Sequence, residues 1–222
     1  MSMTTAGGDP PKIAVVDYGM GNRRSVEKAL ERVGARTVIS RDHAELREAD
    51  GLLLPGVGAF PAAMRVIHEL GLDELLRERA AAGMPIFGSC MGMQLLFEHS
   101  EEHGGAEGLG LLRGEVQQLK THGLKLPHIG WSEVRFERPS PLSQGLHAPI
   151  FLYHVHSFVA QPAERDVILG TSEYGERFAS VVGHGNIFGA QSHPEKSSTA
   201  GLALLANFVA LCSQWRAAAF TS

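Results

Sequence analysis

This chain of 222 residues has only two cysteines, Cys90 and Cys212. That is too few for a disulfide framework, and such sparse thiol usage fits a reducing cytoplasm. No apolar run reaches the roughly 18 residues a spanning helix needs, and no apolar leader opens the chain, so neither a membrane nor a secretory route is expected. Basic residues are not in excess. Twenty Lys and Arg against 24 Asp and Glu leave a net charge of −4, without the basic footprint of a nucleic-acid binder. Repeats and low-complexity tracts are missing too, which argues against a solenoid. The turn Gly19-Met20-Gly21-Asn22 lacks the full G-x-G-x-x-G and G-x-x-x-x-G-K-[ST] patterns, so no nucleotide cofactor is expected. His154 and His156 form an H-x-H pair without a third clustered ligand, so no metal is expected either.

What is present suffices for one sizeable core: 44% of the residues are hydrophobic. A single domain is expected over 12–216, with a loose extension at 1–11, small, polar and bearing Gly and Pro, and a tail at 217–222. The first half alternates: strand 12–17, helix 22–33, strands 36–39 and 51–54, helices within 59–82, strand 85–87, then a helix carrying Met93, Leu95, Leu96 and Phe97. That order predicts an α/β fold whose central sheet is mostly parallel, with helices on both faces. The second half offers shorter strands near 110–119, 133–136, 150–156, 167–171, 178–182 and 186–190, read as an added mixed or antiparallel region. A last helix, 198–215, is expected to pack back on the sheet.

The sharpest chemical signal is PIFGSCMGMQLL, Pro85 to Leu96. Cys90 falls where the strand gives way to the helix, with Gly88 and Gly92 two residues to either side. This is the spacing of the nucleophile elbow G-x-S-x-G with sulfur in place of oxygen. A thiol at a helix N-terminus meets unpaired N–H groups, which lower its pKa below the roughly 8.5 of a free cysteine and can also hold an oxyanion. A free cysteine is often just a small buried hydrophobe. Cys212, among apolar residues at helical spacing between Leu204 and Trp215, reads that way. A thiol nucleophile needs a base and a group to orient it, and His193-Pro194-Glu195 offers both. In an extended segment residues two apart point to one side, so imidazole and carboxylate would share a cleft.

The pairing of GSCMGMQ with SHPEKS resembles the class I glutamine amidotransferases, which use a Cys-His-Glu triad to hydrolyse glutamine to glutamate and ammonia. IAVVDYGMGNRRSVEKAL, LLLPGVGAF, PHIGWSEV and YHVHSF narrow the resemblance to those of the family that serve imidazole glycerol phosphate synthase in histidine biosynthesis, over about residues 12–214. The resemblance implies a three-layer sandwich. It implies Cys90 as nucleophile, His193 as general base and then acid, and Glu195 as the orienting carboxylate. It assigns the oxyanion hole to Gly56, Val57, Gly58 and Met91, with Gly58 and Gln94 holding L-glutamine. The partner it implies is a (β/α)₈-barrel cyclase subunit in a heterodimer, contacted through Asn22, Trp131 and Lys196, with His156 supporting the cleft. The sequence departs from the family pattern at Ser132, where asparagine is usual, at His154 and Phe158, where aromatics are, and at Ser192, where phenylalanine is. None of these removes a triad member. Two other readings stay open on the residues: a cysteine hydrolase of the same superfamily that works alone or serves another synthase, and a binding protein that keeps the fold without the chemistry.

Overall fold

Alternation of apolar residues sets the layers. The computed structural model describes residues 9–147 and 149–219; residues 1–8 and 220–222 of the expected flanks lie outside it. In β1 (Lys12–Val16), Ile13 and Val15 point to one side and Ala14 and Val16 to the other, and all four are buried. A strand covered on both faces belongs to the middle of a sandwich. Leu53 of β3 (Gly51–Leu54) and Phe87 of β4 (Ile86–Ser89) join Ile13 and Val15, while Leu52, Leu54 and Ile86 join Ala14 and Val16.

The first face is closed by α1 (Arg23–Arg32) and by α6 (Ser198–Ala219), the final helix. Val26, Ala29 and Leu30 of α1 recur at helical spacing and are buried. Leu204, Leu205 and Phe208 of α6 meet them, with the Phe208 ring centroid 5.3 Å from that of Phe87. Each such aliphatic or aromatic side chain contributes roughly 1.5–3 kcal/mol by leaving water. The second face is closed by α2 (His43–Arg47), α3 (Phe60–Glu69) and α4 (Leu72–Ala81) through Leu46, Phe60, Ile67, Leu72 and Leu76.

After α5 (Met91–Gln94) come β5 (His99–Ser100), β6 (Ala106–Glu107), β7 (Gly114–Gln118), β8 (His128–Phe136), β9 (Ile150–His156), β10 (Phe158–Pro162), β11 (Ile168–Tyr174), β12 (Glu176–His184) and β13 (Ile187–Ala190). With β2 (Arg36–Ser40), the main sheet has the order β2-β1-β3-β4-β13-β12-β11-β8-β9. Its first five strands are parallel and the remaining four join antiparallel. A second sheet has the order β10-β7-β5-β6.

The expected α/β sandwich is therefore present, with several boundaries moved. The helix α2 was not foreseen; it is only five residues long, and Asp42 caps it by accepting the Glu45 N–H at 2.9 Å. The strand expected over 133–136 begins at His128, because a buried histidine and exposed Ile129 and Trp131 hide the usual pattern. The helix after Cys90 stops at Gln94 instead of running through Phe97. The carbonyls of Leu95, Leu96 and Phe97 turn outward to accept the amides of Leu109, Leu111, Leu112 and Gly110, which ends the helical ladder. β10 follows β9 after one residue, so no turn signal marked it.

Candidate active site

Strand register brings the two distant motifs together. β4 and β13 pair in parallel with Ser89 opposite Ala190, and the Cys90 N–H donates to the Ala190 carbonyl at 2.8 Å. Cys90 thus leaves the sheet beside Gln191, two residues ahead of His193. It turns from strand to helix in a single residue, at φ 55° and ψ −116°. A non-glycine residue held there stores on the order of 1–3 kcal/mol of strain, as expected of a nucleophile elbow. Glycine is obligatory around it: a Cβ on Gly92 would lie 1.9 Å from the Leu54 carbonyl oxygen. Because α5 is one turn long, it supplies free N–H groups at Met91 and Gly92 rather than an accumulated dipole.

The segment Pro55 to Gly58 lies directly on this elbow. A Cβ on Gly56 would be 2.6 Å from the Gly92 nitrogen and 2.8 Å from the Met91 Cβ. Gly58 has φ 107°, and Val57 between them is 44% exposed. Tyr18, fully buried, donates its hydroxyl to the Pro55 carbonyl. Burial, and then the charge of the neighbouring Cys90, push the Tyr18 phenol upward, so it stays a neutral donor. Gly21 packs against Pro55 and Gly56, so the Gly-Met-Gly-Asn turn buttresses this loop. Asn22, exposed, caps α1 by accepting the Ser25 N–H at 3.4 Å.

His193 and Glu195 do meet, by a different route from the expected one. The segment is not extended: Pro194–Lys196 forms a 3₁₀ turn, and it is this turn that folds the carboxylate back onto the ring. Glu195 Oε1 lies 2.9 Å from His193 Nδ1, with both side chains almost wholly buried. Glu195 Oε2 has no hydrogen-bond partner, so the carboxylate interacts chiefly with the imidazole. The His193 N–H donates to the Tyr153 carbonyl at 2.8 Å, and its own carbonyl accepts the Ser197 hydroxyl at 2.6 Å. Burial pulls the His193 pKa down, but hydrogen bonds and charge from Cys90 and Glu195 outweigh it and raise it to about 10. The site therefore rests as an imidazolium between two anions.

Gln94 is buried and donates through Nε2 to the Phe158 carbonyl at 2.9 Å and to Gln191 Oε1 at 3.1 Å. Behind His193 lies a histidine cluster, His128, His154 and His156, packed against Phe178. His154 is held by the Leu152 carbonyl and Ser180, and burial followed by the His128 charge lowers its pKa to about 3. His156 is likewise pushed well down by burial, and then by His154. These rings are neutral, and their nitrogens are committed to protein partners. Ser132 bonds His128 Nε2 at 2.9 Å, while the Ser192 hydroxyl is buried without a partner. Trp131, 53% exposed, stands on the outer face of β8 and β9 with Ile129 and Phe151; Lys196 is exposed beside the site. Sequence reasoning missed Tyr18, Gln191, Ser197 and His128. Only Gln191, two residues before His193 at a strand end, carried a usable signal.

Residues 14–212 match the family model described as glutamine amidotransferase class-I. The chain is 48% identical over 204 residues to the imidazole glycerol phosphate synthase subunit HisH of Bacillus cereus (strain G9842), covering 92% of this chain and 97% of that protein. It is 50% identical over 196 residues to the subunit of the same name from Moorella thermoacetica, covering 88% and 93%. Among solved structures, a GMP synthase subunit from Thermoplasma acidophilum superposes with a TM-score of 0.76 at 21% identity, covering 96% of this chain and 99% of that one. PurLQS from Thermotoga maritima superposes with a TM-score of 0.70 at 21% identity, covering 93% and 99%. At that identity the superpositions speak for the fold.

Proposed function

The chain belongs to the class-I glutamine amidotransferase family, and from that premise we propose that Cys90, His193 and Glu195 release ammonia from L-glutamine for a cyclase partner. Within the family it is a glutamine amidotransferase subunit of imidazole glycerol phosphate synthase, acting in histidine biosynthesis. The observation that carries the catalytic reading is the buried His193–Glu195 contact of 2.9 Å, set beside Cys90 by the pairing of β4 with β13.

The Cys90 thiolate attacks the side-chain carboxamide carbon of glutamine. The resulting oxyanion is held by the Met91 N–H and by N–H groups of the Gly56-Val57-Gly58 loop. His193 carries the proton at the outset, so it acts first as an acid, protonating the departing nitrogen; ammonia leaves and a glutamyl thioester remains. The now neutral imidazole takes a proton from water, hydroxide attacks the thioester, and glutamate departs as thiolate and imidazolium are restored. Glu195 stabilises the imidazolium throughout. Gly58 and Gln94 line the glutamine subsite. No step calls on a cofactor or a metal.

Ammonia is protonated in water and loses its nucleophilicity, so the product must pass to the cyclase without meeting solvent. The exposed apolar stripe of Ile129, Trp131 and Phe151, with Val57 beside the site, suits a docking face for a (β/α)₈-barrel cyclase, flanked by Asn22 and Lys196. A face of about 1,200–2,000 Å² in total would hold such a heterodimer. The reaction is placed in the cytoplasm, involving neither nucleic acid nor membrane; among the described residues no helix is long and apolar enough to cross a membrane.

Glutamate release from the protein alone, with the cyclase, and with the cyclase plus its ribotide ligand tests this reading. Turnover should rise at each step. Cys90→Ala should abolish it while added ammonia still supports the cyclase. Glutamine use that persists in Cys90→Ala, or that is indifferent to the cyclase, would overturn it.

A further inference from the structure

Gln191 has no part in the triad, yet its side chain is completely buried and lies within reach of the sulfur. Its Nε2 approaches Cys90 Sγ at 3.9 Å, a long N–H···S contact. Which end of its amide faces Cys90 is fixed by its neighbours. The Phe158 carbonyl can only accept, and it has two donors around it, His156 Nδ1 at 3.1 Å and Gln94 Nε2 at 2.9 Å. Gln94 must therefore direct its NH₂ group inward, and the same nitrogen reaches Gln191 at 3.1 Å. Gln191 meets that donor with its oxygen, which leaves its own NH₂ for the sulfur. The reverse orientation would set a carbonyl oxygen against a thiolate and leave the Gln94 donor facing another donor.

The anchor is itself held in one sense. His156 donates from Nδ1 to Phe158, so its Nε2 accepts; His128 Nδ1 lies 3.2 Å from that Nε2 and donates to it, and Ser132 donates to His128 Nε2 at 2.9 Å. We propose that Gln191 is a further residue of the catalytic centre: its side-chain amide, oriented by Gln94 and the Phe158 carbonyl, directs an N–H at the Cys90 sulfur and stabilises the thiolate. The proposal rests on the reading of Cys90 as nucleophile. The other groups facing the sulfur are His193, backed by Glu195, the Tyr18 phenol and the Val155 carbonyl at 3.6 Å. His154 and His156, behind His193, are neutral and add no charge. Gln191 and His193 are thus the two side chains that favour negative charge on the sulfur, and one segment after β13 delivers both.

The test is the pH dependence of Cys90 alkylation by iodoacetamide in the full chain, followed by peptide mass, with the buried Cys212 as internal reference. Gln191→Glu keeps an acceptor for Gln94 but turns an oxygen toward the sulfur. The alkylation midpoint should rise by about one pH unit or more, with kcat falling further than KM changes. Gln191→Met has similar volume and no donor, and should raise the midpoint by about half a unit; it carries the test should the glutamate variant not fold. An unchanged midpoint in the folded variant overturns the proposal, because a residue that merely braced Gln94 would alter glutamine binding without moving the thiol titration. Failure of the underlying reading looks different: wild-type Cys90 would react no faster than Cys212 at neutral pH.

Discussion

At the scale of single residues, the site is governed by which atoms have partners. Glu195 gives one oxygen to His193 and leaves the other unpaired, so its main electrostatic task is to favour the imidazolium. Glu195→Gln removes that charge while keeping the shape. It should lower glutamine turnover by about 10²–10⁴ with a much smaller change in KM; steady-state kinetics with the cyclase present checks this, and a loss under about tenfold would separate Glu195 from the chemistry. The Ser192 hydroxyl is the converse case, a buried donor with nothing to bond. Ser192→Ala should leave stability unchanged or raise it by up to about 1 kcal/mol in urea unfolding. A loss of more than about 1 kcal/mol would mean that this hydroxyl has a partner after all.

At the scale of elements, the elbow, the Pro55–Gly58 loop and the end of β13 form one unit because their backbones touch. Gly92 admits no side chain without displacing the Leu54 carbonyl. Gly92→Ala should therefore cost about 3 kcal/mol or more, or prevent folding, by urea denaturation; a near-neutral result would show that the elbow is free to shift. Much of this unit was legible in the sequence, since Gly88-x-Cys90-x-Gly92 carries its own geometric requirement and β1, β3 and β4 carry theirs as apolar runs. The Pro194 segment was not legible. Proline fixes its own φ but does not decide between an extended chain and a 3₁₀ turn, and the turn is set by hydrogen bonds from Ser197 to His193 and from Tyr153 to Ser197. The elbow helix was overextended for a similar reason: its carbonyls are claimed by amides near residue 110, a tertiary choice that local periodicity does not record. His128 and Gln191 stayed hidden because buried polar residues gain meaning only when their partners are known.

At the scale of the whole molecule, the buried histidines fix how stability responds to pH. His154, with a pKa lowered to about 3, and His156, lowered as well, bind fewer protons folded than unfolded. Their contribution is present above the unfolded value of about 6.5 and is lost as pH falls below it toward 3. His193, raised to about 10, does the opposite: its contribution is complete below about 6.5 and is lost as pH rises toward 10. Urea midpoints should accordingly peak near neutrality and fall on both sides, and His193→Ala should flatten the alkaline limb alone; an alkaline limb unchanged in that variant would contradict the imidazolium assignment. The whole account depends on strand pairing having selected one of two cysteines as the nucleophile, the other being sealed in the core, where burial and the nearby Asp50 charge push its thiol well up. The most direct measurement incubates the protein and its cyclase with a chloroketone analogue of glutamine and maps the adduct by peptide mass: the account predicts one adduct per chain, on Cys90, and an adduct on Cys212, or none while glutamine is still being consumed, would contradict it.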